Sequence, residues 1–136
     1  MDKNIYYDDK NNNILKREIL TTEAKKLADT FIGQNDRKPL LKSTQLRKFY
    51  NEFKYFEKKL EDKEFNNFNE IKPLIKMMES KAEYASNAKK VRIPLQFKSF
   101  IVSNVRKIED EFDFKGFLKH FEAILGFYYG RIKEWN

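Results

Sequence analysis

From Asp113 to Ile132 the chain carries Phe114, Phe117, Leu118, Phe121, Leu125, Tyr128 and Ile132 in the i, i+3, i+4, i+7 pattern continued at i+11, i+14 and i+18, with no proline among them. Helical geometry gathers residues so spaced onto a common stripe, and a stripe this long needs neighbouring elements to cover it. Asp110, Glu111 and Asp113 lie at the amino end of this segment and Arg131 and Lys133 at its carboxyl end. That is the polarity a helix dipole favours. Glycine and proline together number only seven. So few turn-formers suit long helices with brief connections and exclude a many-stranded sheet.

The same reading places four helices upstream. A first runs from Thr22 to about Ile32, with Ala24, Leu27, Ala28 and Phe31 on one face and Gly33 as terminator. Residues 34–42 form a polar loop containing Pro39. A second helix, capped by Ser43 or Thr44, carries Leu46, Phe49, Tyr50, Phe53 and Leu60 and runs to about Lys63. A third begins near Ile71, with Pro73 in its first turn and Leu74, Ile75, Met78, Ala82 and Ala85 as its stripe. Pro94 breaks the chain, and Phe97, Phe100, Ile101, Val105 and Ile108 mark a fourth helix. Residues 1–20 read differently. Ile5-Tyr6-Tyr7 and Ile14-Leu15 flank a turn-rich Asp8–Asn13 segment, which suits either a small hairpin or a mobile arm. The expected fold is all-α, a single domain of 136 residues in which a five-helix bundle over 21–136 follows a short irregular or hairpin-like arm over 1–20.

Hydrophobic residues make up 40% of the chain and aromatics 15%, enough to build a core despite the high charge. Cysteine is absent, which excludes disulfides, thiolate metal sites and cysteine nucleophiles and is compatible with a reducing cytoplasm. Met1-Asp2-Lys3-Asn4 leads into polar sequence without the apolar core of a signal peptide, and no apolar run approaches a membrane span. A cytoplasmic protein with no membrane partner is expected.

The net charge is +7, but its distribution says more. Between Asp36 and Glu52 stand Arg37, Lys38, Lys42, Arg47 and Lys48 without a compensating acid. Between Glu83 and Glu109 stand Lys89, Lys90, Arg92, Lys98, Arg106 and Lys107. These eleven cations exceed the whole net charge, so the remainder of the chain is slightly acidic. Clustered cations suit a phosphate backbone, because each neutralised phosphate releases condensed counterions. Both stretches fall at loop-to-helix junctions, where free amides add anion contacts. The same pattern also fits a solvated face that keeps a protein in solution. No base-reading motif accompanies it, so the expectation is backbone contact without sequence recognition.

Catalytic chemistry is hard to assemble here. His120, the only histidine, lies on the strongly helical last segment between Lys119 and Phe121 and reads as a structural side chain. Asp110, Glu111 and Asp113 are able to ligate a hard cation, but a helix start accounts for them through the dipole. Glu79 and Glu83 share a helix face near Lys76 and Lys81, which suits surface pairing more than acid–base work. Neither a phosphate-binding glycine loop nor a nucleophile elbow nor a zinc spacing occurs. No catalytic residue, metal or cofactor is expected. Most aromatics read as core, with Tyr6, Tyr7, Tyr55 and Tyr84 open to a base-stacking role. Gly126 and Gly130, one turn apart, permit close helix approach, either within the bundle or to a neighbouring molecule.

Four segments together carry a resemblance: Ser43-Thr44-Gln45-Leu46-Arg47-Lys48-Phe49-Tyr50, Lys81-Ala82-Glu83-Tyr84-Ala85, Phe97-Lys98-Ser99-Phe100, and the closing stretch from Phe117 to Tyr129. In this order the chain resembles, from about Thr21 to Ile132, the small subunit of the type III-A CRISPR (Csm) effector complex. The resemblance implies a five-helix, non-catalytic protein whose copies stack head to tail along guide RNA and target RNA and pack against other Csm subunits. Carried onto this sequence, it implies RNA contact by Lys42, Gln45, Arg47 and Lys48, then by Lys81, Lys89, Lys90 and Arg92, and last by Lys54, Lys98 and Arg106. The competing readings are an architectural adaptor whose basic faces meet acidic proteins, and an RNA-processing enzyme, which the missing chemistry disfavours.

Overall fold

The computed structural model describes residues 4–133. The first three residues of the arm and the last three of the chain, with what was expected of them, lie outside the described residues. The protein is all-α apart from a small hairpin. Its elements are β1 (Tyr7–Asp9), β2 (Ile14–Leu15), α1 (Arg17–Leu20), α2 (Thr22–Ile32), α3 (Ser43–Glu61), α4 (Phe68–Lys76), α5 (Met78–Ser86), α6 (Leu95–Lys107) and α7 (Glu111–Arg131). The five expected helices are α2, α3, the α4–α5 pair, α6 and α7. α1 is a single turn within the arm. None of the described helices is long and apolar enough to cross a membrane. The contacts fall into two compact units, one formed by the arm, α2 and α7, the other by residues 40–110.

In the first unit α2 packs on α7, burying Ala24, Ala28, Phe31 and Ile32 on one side and Phe114, Phe117, Phe121 and Tyr128 on the other. Gly33 ends α2 at φ 82°, a left-handed conformation that suits glycine, and its amide donates to Asp29 O at 2.9 Å. The arm is an antiparallel hairpin pairing Tyr7 with Leu15 and Asp9 with Ile14. It lies against α7 at Gly116, where an added Cβ would stand 2.7 Å from Tyr6 Cβ. Tyr7 Oη donates to Phe112 O at 2.6 Å, and Asn4 Nδ2 donates to Asp113 Oδ1 at 2.6 Å. Lys10 pairs with the same carboxylate at 3.1 Å. Arg131 closes the unit from the far end of α7: its guanidinium reaches Asp36 at 2.7 Å, Asp29 at 2.9 Å and Gly33 O at 2.8 Å.

In the second unit α3 packs on α4, and α5 on α6. Leu46, Phe49, Phe53, Ile71, Ile75, Met78, Phe97, Ile101 and Val105 are buried. Phe49 and Phe97 meet edge to face with centroids 5.4 Å apart, a favoured aromatic geometry. Two boundaries differ from expectation. Lys42, not Ser43 or Thr44, occupies the N-cap position of α3, and its side chain makes no capping bond. α4 begins at Phe68, three residues before Ile71, because Asn67 caps it by accepting from Asn69 N at 2.9 Å. Pro73 therefore sits inside α4 rather than in its first turn, and Leu74 is exposed on its outer face.

Candidate nucleic-acid interface

All eleven residues singled out for RNA contact belong to the second unit, and they separate by what holds their polar groups. Four have carboxylate partners. Arg106 forks onto Glu79, Nε to Oε1 at 3.0 Å and Nη2 to Oε2 at 2.9 Å. Lys98 meets Glu83 at 3.0 Å, Lys54 meets Glu57 at 2.5 Å, and Lys81 pairs with Glu52. The Arg106 hydrogen bonds hold the Glu79 carboxyl below its ordinary range, and the same bonds push the guanidinium up. Two others brace backbone. Gln45 Nε2 donates to Val91 O at 3.2 Å, tying the start of α3 to the loop before α6. Arg92 Nε donates to Ala88 O at 2.8 Å within that loop.

Lys42, Lys48, Lys89 and Lys90 are different. All are exposed, and among the described residues their ammonium groups have no hydrogen-bond or ion-pair partner. Arg47 is exposed beside Lys48 on α3. Three of these lysines border two clefts. A cleft of about 420 Å³ between α3 and α5 has Phe49, Ala85 and Val91 among its walls and Lys48 and Lys81 at its edge. A second, more open cleft of about 960 Å³ adjoins it across Ser80 and Tyr84 of α5, with Lys89 and Lys90 among its lining residues. Of the eleven, then, the structure places Lys48, Lys81, Lys89 and Lys90 around one helix and Gln45 at the same cleft. It brings Lys54, Lys98 and Arg106 into internal ion pairs.

The aromatic candidates divide as sharply. Tyr6 and Tyr7 are each 1% exposed and have no face for a base. Burial, with the Asp113 charge second, pushes the Tyr6 phenol far above its usual range. Neither ring is therefore open to a base: the hairpin packs both against α7 at Gly116. Tyr55 is half exposed, with the Lys59 ammonium 5.0 Å above its ring. Tyr84 is 81% exposed.

His120, Asp113 and Glu111 each make a structural contact. His120 is buried, with Nδ1 2.5 Å from Ile19 O. A carbonyl only accepts, so Nδ1 carries the proton and donates. Burial lowers the imidazole pKa, partly offset by that hydrogen bond. Asp113 anchors the arm, and Glu111 pairs with Lys115 at 2.9 Å. Among the described residues no three His, Asp or Glu side chains converge as metal ligands would. Gly116 leaves no local signal of its role, since its partners Tyr6 and Tyr7 lie about a hundred residues away in the sequence.

Fold and surface together define a small helical protein whose lysines gather around α5. A model of the Csm2 Type III-A family matches residues 15–131. The chain belongs to that family and is a small subunit of the type III-A Csm complex of CRISPR interference. Among curated proteins and among solved structures, none matches the chain significantly.

Proposed function

We propose that this subunit is a non-catalytic RNA cradle, contacting the backbone of guide RNA and target RNA without reading sequence, with copies stacked head to tail. The observation that carries the reading is the set Lys42, Lys48, Lys89 and Lys90, whose charges are not spent on acids among the described residues. Cations already neutralised within the fold have little left to offer a phosphate, whereas these four release counterions when one arrives. Lysine is a flexible point charge, suited to a backbone whose bases vary with every guide. Repetition along a filament would multiply contacts that are weak singly.

Self-association draws support from apolar surface. Leu40, Met77 and Leu95 are more than half exposed in the second unit. In the first, Gly126 and Gly130 face open space, with nothing within 4 Å of an added Cβ. Packing within the unit does not account for those two glycines. They leave α7 bare enough for a neighbouring copy or another Csm subunit.

The test is anisotropy with the full chain and several single-stranded RNAs of unrelated sequence, at low and moderate salt. Equal, salt-sensitive affinities with no cleavage are expected. A strong sequence preference, or cleavage abolished by one substitution, would contradict the reading. Failure to bind any RNA at low salt would instead favour an adaptor that meets acidic proteins.

A further inference from the structure

Ser80, Tyr84 and Ala88 recur every four residues and border both clefts, so they form the ridge that divides them. Tyr84 is the crest. Its small neighbours one turn away leave the ring 81% exposed, with no hydrogen bond or ring contact among the described residues. A large flat apolar surface held out in water on a well-formed helix has no packing role of its own.

The charges on the two flanks match. Lys48 stands on the α3 side of the ridge, Lys89 and Lys90 on the other. The acids nearby are already compensated: Glu52 by Lys81, Glu79 by Arg106 and Glu83 by Lys98. The ridge is therefore positive on both sides and apolar at its crest and in the Phe49–Val91 cleft below. A bare polyanion would use the lysines and ignore the ring. An apolar partner would use the ring and meet unpaired ammonium groups. A nucleotide carries a flat apolar face beside phosphate, and uses both.

We infer that Tyr84 stacks on an unpaired nucleobase of RNA while Lys48 on one flank and Lys89 and Lys90 on the other take the neighbouring phosphates. The inference rests on the RNA-contact reading above and adds to it the form of the ligand: single-stranded nucleotides, since bases within a duplex are already stacked on each other. Stacking on tyrosine tolerates every base, because each has a π-face, so it adds affinity without adding sequence preference.

The experiment compares a short single-stranded RNA with an abasic ribose-phosphate strand of equal length and charge, using wild type, Tyr84→Ala, Tyr84→Phe and Tyr55→Ala. Circular dichroism of each variant confirms the fold, which an 81% exposed side chain does not maintain. Tyr84→Ala is expected to weaken the base-bearing strand about tenfold and leave the abasic strand unchanged. Tyr84→Phe and Tyr55→Ala should match wild type on both. Equal binding of the base-bearing strand by wild type and Tyr84→Ala overturns the stacking inference and leaves backbone contact standing. Equal losses on both strands overturn it too, because the ring would then act without a base. Wild type that binds neither strand at low salt overturns the RNA-contact reading itself.

Discussion

Arg106 and Glu79, on α6 and α5, are joined by two bonds of 3.0 and 2.9 Å, the paired geometry that guanidinium and carboxylate favour. An arginine counted among the RNA-contact candidates thus finds its anion within the protein. If unpaired lysines meet phosphate, the two kinds of cation should differ in the salt dependence of RNA binding. Lys89→Ala with Lys90→Ala should lower the slope of log affinity against log salt by about two, and Arg106→Ala by well under one. Binding isotherms at four salt concentrations measure both.

Glycines on one helix should respond in opposite directions. Gly116→Ala places a Cβ 2.7 Å from Tyr6 Cβ, so the hairpin must shift, and overpacking of this kind costs about 1–3 kcal/mol. Gly126→Ala and Gly130→Ala meet nothing within 4 Å and should stabilise the isolated chain by up to about 1 kcal/mol each. Urea unfolding of the three variants decides it. The same two substitutions should weaken self-association, if α7 approaches a neighbour there.

His120 makes stability depend on pH. Burial holds its folded-state pKa below the ordinary 6.5, so the unfolded chain binds the proton more readily. The contribution is complete above pH 6.5 and is lost as pH falls from there through the folded value. The urea midpoint should therefore drop between pH 7.5 and 5.5. His120→Gln, which keeps a donor near Ile19 O, should flatten that dependence even where it lowers stability overall.

The helices were legible because their apolar stripes are long. Phe114 to Tyr128 and Leu46 to Phe53 declare α7 and α3 without reference to anything distant. Short or locally ambiguous pieces were not. α1 is four residues, barely one turn and too short to repeat a hydrophobic pattern, and the cap at Asn67 lies among polar residues that also suit a loop. The candidate cations divide along the same line. Lys89 and Lys90 sit in a turn with no acid close in sequence, and they remain unpaired in the fold. Lys98 and Arg106 lie on α6, which packs on α5 and is handed Glu83 and Glu79 by it. Pairs separated by 15 and 27 residues on different helices leave no local signal. Tyr6 and Tyr7 failed as stacking candidates for the same reason, since Gly116 and Phe112 bury them from the far end of the chain.

The central claim is that lysines left without partners in the fold are the ones that meet RNA. Its most direct test is the salt series repeated with Lys48→Ala, Lys89→Ala and Lys90→Ala combined, beside Lys54→Ala, Lys98→Ala and Arg106→Ala combined. Both triple variants lose three cations, so net charge is matched. The account expects the first to lose about three from the salt slope and most of its affinity, and the second to stay close to wild type. Equal losses in the two would contradict it, since RNA would then be sensing total charge and not the unpaired set.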